Sequence, residues 1–210
     1  LPEQASIVVS HFGRIDYLVH NAALAIRDYA MSTGLAIDQK IMKINYFGSV
    51  VLTKQVLPQM LQRGSGHIVV LSSLSGKYGV PRTSSYAASK HALHGFYETL
   101  RSEIHDSGVL ITIIVPGIIR TNITEHALMG DGKTSGRAET SFKEGYPLEK
   151  CAAQAIKAIR KGKEEVFIGG TEGLTLWINR VSPWLLRRIL RNHPLKAIRK
   201  LKARFSLRKI

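Results

Sequence analysis

Cysteine is nearly absent: Cys151 stands alone among 210 residues. That excludes an intrachain disulfide framework and a cysteine-built zinc cage. No uninterrupted apolar run reaches the ~18 residues a spanning helix needs, and the apolar stretch 174–190 is cut by Arg180, Arg187 and Arg188. No secretory signal, internal repeat or low-complexity segment is visible. The chain also contains neither Gly-x-Gly-x-x-Gly nor Gly-x-x-x-x-Gly-Lys-Ser/Thr. It therefore lacks the loops whose backbone amides cradle a pyrophosphate. Acidic residues are missing altogether from 180–210, where eleven lysines and arginines fall.

What is present describes a globular chain. Hydrophobic residues make up 44% and the mean hydropathy is -0.01, values that fit neither disorder nor a collagen-like repeat. The net charge of +15 and a pI near 10.1 would suggest nucleic acid or an anionic membrane if spread over the whole molecule. They are not spread: removing the eleven charges of 180–210 leaves residues 1–179 at +4. The excess belongs to a tail. We therefore divide the chain into a body, 1–173, and a basic amphipathic tail, 174–210.

Along the body, the pattern predicts a helix over the first thirteen residues with Gly13 as its stop, then a short strand Ile15–His20. A helical pattern runs from about Asp38 to Arg63 and ends at Gly64-Ser65-Gly66. His67–Ser72 and Val109–Val115 are continuous apolar runs of the kind buried on both faces of a sheet. Between them lies a helix from Ser84 to about Asp106. Residues 116–146 show no strong periodicity, as expected of a lid or binding loop. Pro147 opens a helix to Lys161, with Gly162 past its end, and Glu165–Ile168 is the last strand. Alternating helices and apolar strands predict an α/β fold, a doubly wound parallel sheet of Rossmann type. In such sheets chemistry lies at the carboxyl ends of the strands, here just after Val19, Leu71 and Val115.

Ser72-Ser73 follows the second strand, and Tyr86-Ala-Ala-Ser-Lys90 begins thirteen residues beyond Ser73. Tyr and Lys at i and i+4 share a helix face. A cation ~4 Å from a phenolate at an effective dielectric of ~20 is worth roughly 4 kcal/mol, enough to lower the tyrosine's pKa by about three units toward general acid-base use. The spacing alone is weak, since seven tyrosines and fifteen lysines predict about half a match by chance, and Tyr146-Pro-Leu-Glu-Lys150 is a second one. That second pair has no serine-bearing strand before it and reads as loop and helix start. His91 and His94 lie three apart on the Tyr86 helix, but no third ligand stands at a recognisable spacing, so no metal site is expected. Gly169-Gly170-Thr-Glu-Gly173 reads as a turn cluster.

Context separates the first pair from chance. Gly66-His-Ile-Val-Val-Leu-Ser-Ser-Leu-Ser-Gly76, followed by Tyr86 and Lys90, resembles the short-chain dehydrogenase/reductase family. Further elements occur in that family's order. His20-Asn-Ala-Ala23 is similar to its Asn-Asn-Ala-Gly segment, Asn45 in Lys43-Ile-Asn-Tyr-Phe-Gly48 to its helix asparagine, and Pro116-Gly117 with Thr121 to its Pro-Gly-x-x-x-Thr loop. The resemblance covers residues 1 to about 170. It implies an oxidoreductase that moves a hydride between a nicotinamide cofactor and a carbonyl or secondary alcohol, the cofactor carrying the hydride. It further implies that Ser73 steadies the substrate oxygen, Tyr86 carries the proton, and Lys90 lowers the Tyr86 pKa and holds the nicotinamide ribose. Asn45 would complete a proton relay through water. Asn21 and Ala22 would lie along the cofactor, with Pro116, Gly117, the Ile119 backbone and Thr121 at the carboxamide.

Two positions depart from the family: His20 stands where Asn is commoner, and Ala23 where Gly is commoner. The family's glycine-rich loop and first three strands are not in this sequence. The 210 residues therefore read as a fragment of a longer enzyme, expected to bind dinucleotide poorly alone and to expose the strand at 15–20 as a sheet edge. In the tail, Leu174, Trp177, Ile178 and Val181 repeat at helical spacing, Trp184, Leu185, Ile189 and Leu190 follow Pro183, and Leu195, Ile198, Leu201 and Phe205 resume after Pro194. Apolar residues with tryptophan among arginines and lysines suit a helix lying in a membrane interface. Packing on the body or on a dimer partner is the second reading, and nucleic acid ranks last. The arrangement is similar to the membrane-associated 11β-hydroxysteroid dehydrogenase-like branch. That implies a lipid- or steroid-like substrate, NADP(H) in preference to NAD(H), a homodimer or homotetramer, and a peripheral membrane or cytoplasmic location. The rival to the enzyme is a catalytically inert chain acting as a membrane-bound or protein-interaction module.

Overall fold

The computed structural model describes residues 2–137 and 139–191; Leu195, Ile198, Leu201 and Phe205 of the tail pattern lie outside the described residues. Four parallel strands form one sheet in the order β1 (Tyr17–His20), β2 (Gly66–Leu71), β3 (Val109–Pro116), β4 (Glu165–Ile168). Their registers pair Val19 with Val69, Ile68 with Ile111 and Ile114 with Val166. Each connection carries helix, as a parallel crossover requires. β2 and β3 are buried on both faces, from His67 to Val70 and from Ile111 to Val115, which is why both read as unbroken apolar runs.

Helices cover the two faces. On one, α3 (Gly48–Arg63) and α4 (Ser84–Glu103) bring Val56, Met60, Leu93, Tyr97 and Leu100 onto Ile68, Val70, Ile111 and Ile113, and α1 (Pro2–Phe12) adds Ala5. On the other, α6 (Leu148–Arg160) packs Cys151 and Ile159 against Val69, Ile114 and Ile168. Each such fully buried aliphatic stabilises the fold by about 1.5–3 kcal/mol. Among the described residues β1 pairs only with β2, and Tyr17 and Val19 are more than half exposed, so the first strand is the sheet edge the sequence predicts.

The predicted helix from Asp38 is three pieces: α2 (Leu35–Met42), a π-helical segment Lys43–Phe47, and α3 with Pro58 inside it. α3 ends at Gly64, whose φ of 66° is left-handed, with its N–H donating back to Leu61 O. In the segment 116–146 the structure adds one short helix, α5 (Thr140–Lys143), and isolated bridges such as Ile26 with Leu128 and Ile119 with Tyr146. The tail begins as α7 (Leu174–Val181) and α8 (Pro183–Arg191). They are docked rather than free: Leu186 and Leu190 are buried, and the Thr175 hydroxyl bonds Tyr78 Oη at 2.6 Å.

Candidate active site

At the carboxyl ends of β1, β2 and β3 lies a cavity of about 340 Å³. Asn21, Ser73, Tyr86, Lys90, Pro116, Gly117, Ile119 and Thr121 all line it. Three separate strand ends and one helix thus deliver eight of the ten residues singled out from sequence to one space. Ala22 borders a neighbouring groove with His20, Asn21, Lys43 and Ser49. Asn45 is buried and lines neither space. Tyr146 and Lys150 line neither space; Tyr146 Oη accepts from Gln154 Nε2 at 2.6 Å.

Ser73 leaves β2 in extended conformation and caps a 3₁₀ turn, its Oγ accepting from Ser75 N at 3.2 Å. Ser73 also acts on the Tyr86 phenol, pulling its pKa down against the effect of burial. Lys90, one turn beyond Tyr86 on α4, is buried; its Nζ donates to Leu71 O at 2.7 Å and lies 5.6 Å from the Tyr86 ring centre. Burial pulls the Lys90 ammonium down to about 8. Tyr86 lines the cavity but is densely surrounded, and burial raises its pKa; the opposing influences are Ser73 and the Arg27 guanidinium. The Lys90 ammonium instead spends its shortest contact on a strand-end carbonyl.

Asn45 sits in the π-helical segment. Its Oδ1 accepts from Leu24 N at 2.7 Å, and its Nδ2 donates to Leu24 O at 2.9 Å and to Ser89 Oγ at 3.0 Å. Ser89 Oγ in turn donates to Tyr86 O at 2.8 Å. Asn45 therefore ties the loop after β1 to the helix that carries Tyr86. π segments are frequent at functional sites.

Four features were missed in the sequence. Arg27 lines the cavity, its guanidinium 5.4 Å over the Phe142 ring and 3.3 Å from Glu139 Oε1. Glu172, read as part of a turn cluster, is buried and accepts from Ile118 N at 2.9 Å and Gly170 N at 3.0 Å. It holds the loop after β3 to the loop after β4, and a Cβ at Gly117 would run into its Oε1. Ser72 Oγ bonds His94 Nε2 at 2.8 Å, and His94 Nδ1 faces Glu98 at 3.1 Å and Glu165 at 3.5 Å. Those two carboxylates and His94 lie close enough to hold a metal ion, but Lys77 Nζ stands 2.7 Å from Glu165 and already supplies the positive charge. Cys151 also reaches the cavity wall, its thiol pushed up by burial. The contacts of Arg27 with Glu139, of Glu172 with Ile118 and of Ser72 with His94 join residues far apart in sequence, which is why the sequence did not reveal them.

Comparison with known proteins bears on the family and the fold. A family model described as short chain dehydrogenase matches residues 3–130. Dehydrogenase/reductase SDR family member 7B of Mus musculus is 36% identical over 187 residues, covering 89% of this chain and 58% of that protein. Dehydrogenase/reductase SDR family protein 7-like of Drosophila melanogaster is 34% identical over 172 residues, covering 82% and 53%. The chain thus spans little more than half the length of these relatives. A crystallised short-chain dehydrogenase from Streptomyces avermitilis shares the fold with a TM-score of 0.74 at 24% identity, over 93% of this chain and 75% of that one. The Rossmann-like sheet, the strand-end cavity and these matches together place the chain in the short-chain dehydrogenase/reductase family.

Proposed function

We propose that the protein is an NAD(P)-dependent oxidoreductase acting on a carbonyl or secondary alcohol, with residues 1–173 as its catalytic unit. The observation that carries this reading is the convergence of Ser73, Tyr86 and Lys90 on one cavity. Ser73 Oγ is placed to bond the substrate oxygen beside the Tyr86 hydroxyl, so a proton passes between Tyr86 Oη and that oxygen. Burial favours the neutral phenol, the form that donates during carbonyl reduction.

The donor set fits the nicotinamide end of the cofactor. The Asn21 amide, Lys90 ammonium and Thr121 hydroxyl line the same cavity as Pro116, Gly117 and Ile119. These are the groups that ribose hydroxyls and a carboxamide require, and Ala22 lies just outside, on the adjoining groove. When bound, the nicotinamide supplies or removes the hydride. NADP(H) is proposed over NAD(H) on family resemblance. A mainly apolar lining, including Ile26, Leu71, Ile123, Phe142, Leu148 and Ala155, supports a lipid- or steroid-like body for the substrate.

Location follows from the tail in the same reading. Trp177, Val181, Trp184 and Leu185 are exposed on α7 and α8, among exposed Arg180, Arg187, Arg188 and Arg191. That is the chemistry of peripheral contact with anionic lipid. No helix among the described residues is long and apolar enough to cross a membrane. Self-association into a homodimer or homotetramer is supported by the exposed Ile44, Phe47 and Val51 around the start of α3. The test of the activity is a panel of long-chain and steroid ketones and alcohols, given to the intact protein with each cofactor. Turnover with NADPH is expected. Cofactor binding without turnover of any of them would favour the inert interaction module.

A further inference from the structure

Arg27 is not required by the proton-transfer chemistry, yet it is carried into the cavity on the loop after β1. Its side chain is only 17% exposed, and its Nε is shut off from solvent without donating a hydrogen bond. Glu139 Oε1 is 3.3 Å away, within ion-pair range but without hydrogen-bond geometry. The guanidinium plane is held over Phe142. A second arginine, Arg82, donates from Nη2 to Arg27 O at 2.9 Å, and its charge opposes that of Arg27. Arg82 also holds a left-handed φ of 68°, the only such non-glycine residue described, and strain of that kind concentrates at ligand sites. Lys90 adds a second cation to the cavity wall, and no acidic side chain is among the residues that line it. A buried guanidinium with an unused donor, backed by another cation and offset by one carboxylate, is poised for an oxyanion, which it can grip through two parallel N–H bonds.

We propose that Arg27 binds an anionic head group of the substrate, a carboxylate or a phosphate, so that among lipid-like substrates the enzyme prefers acidic amphiphiles to neutral ones. This deepens the oxidoreductase reading and rests on it for the identity of the anion as substrate. Glu139 is then a gate: its carboxylate occupies part of the guanidinium in the ligand-free protein and competes with the incoming anion. The apolar lining from Ile26, Ile123, Phe142 and Leu148 receives the chain attached to the head group.

The test is binding, measured by titration calorimetry on the intact protein below the micelle concentrations, with decanoate, decyl phosphate and decanol as probes. At least one anionic probe is expected to bind ten-fold or more tightly than decanol, and the tighter of the two names the head group. Arg27→Gln should bring that probe to within about three-fold of decanol, whereas Arg27→Lys should keep part of the preference. Glu139→Gln should tighten the anion and leave decanol unchanged. Equal affinity for all three probes, or a preference that survives Arg27→Gln, would overturn the proposal. If Arg27→Gln does not fold, a Glu139→Gln variant that binds anions no better than the wild type overturns it instead. Anion preference in a protein that turns over no ketone or alcohol counts against the oxidoreductase reading alone. Turnover of neutral ketones without any anion preference counts against the Arg27 site alone.

Discussion

His20 stands where the family's segment more often has asparagine, and its surroundings account for the exchange. Its Nε2 shares a hydrogen bond with Thr53 Oγ1 at 2.9 Å, and Thr53 shares one with Tyr97 Oη at 2.7 Å, so the ring ties β1 to α3 and α4. Burial lowers the His20 pKa from 6.5 to about 4. Between those two values the unfolded chain takes up a proton that the folded one refuses. The stability present above about pH 6.5 is therefore lost progressively as the pH falls toward 4, by roughly 3 kcal/mol for this one group. His67 and His94 are shifted downward by burial too and add in the same direction. Thermal unfolding followed from pH 7.5 to 4.5 should show a falling Tm, and His20→Asn should flatten the slope. An unchanged slope in that variant would remove His20 as the source. The departure was visible in the sequence, but the Thr53–Tyr97 chain that makes it fit was not, because its members lie 33 and 44 residues apart.

Among the elements, the strands were legible and the site's fastenings were not. β2 and β3 announced themselves because burial on both faces leaves no polar alternation, and the serines and glycine at their ends were placed by that same reasoning. Ser73, Tyr86 and Lys90 could be found because their spacing is set within one strand–helix unit. Arg27 and Glu172 could not, since each acts across the sheet on a loop distant in sequence. The π segment at Lys43–Phe47 was also invisible, for its residues suit an ordinary helix and the tie from Asn45 to Leu24 that accompanies it is tertiary. Glu172 offers a test of the loop junction. Glu172→Ala leaves Ile118 N and Gly170 N without their acceptor, costing about 1–3 kcal/mol. Chemical denaturation should show that loss, together with weakened cofactor binding as Gly117 and Ile119 lose their fixed positions. A variant as stable as the wild type would show that the carboxylate is not the fastening.

At the level of the whole molecule, charge and apolar surface are segregated. The body is close to neutral while 180–210 carries eleven of the positive charges. The described part of the tail turns Leu186 and Leu190 inward and Trp177, Val181 and Trp184 outward. Each basic residue near an anionic surface is worth about 1 kcal/mol, so the tail should direct the cavity toward lipid-borne substrates. Replacing the exposed Trp177 and Trp184 together by Glu should reduce sedimentation with phosphatidylserine-containing liposomes at least five-fold without unfolding the protein, and equal pelleting would contradict the membrane contact. Three strand ends and the α4 helix converge on the cavity that Tyr86 lines, and the Asn45–Ser89 tie reaches the Tyr86 backbone carbonyl. The decisive measurement is therefore the kcat of intact Tyr86→Phe protein for NADPH-dependent ketone reduction, taken beside its affinity for NADPH. A loss of about 10²–10⁴-fold in kcat with cofactor affinity retained is the expected result; turnover within two-fold of the wild type would contradict proton transfer by Tyr86.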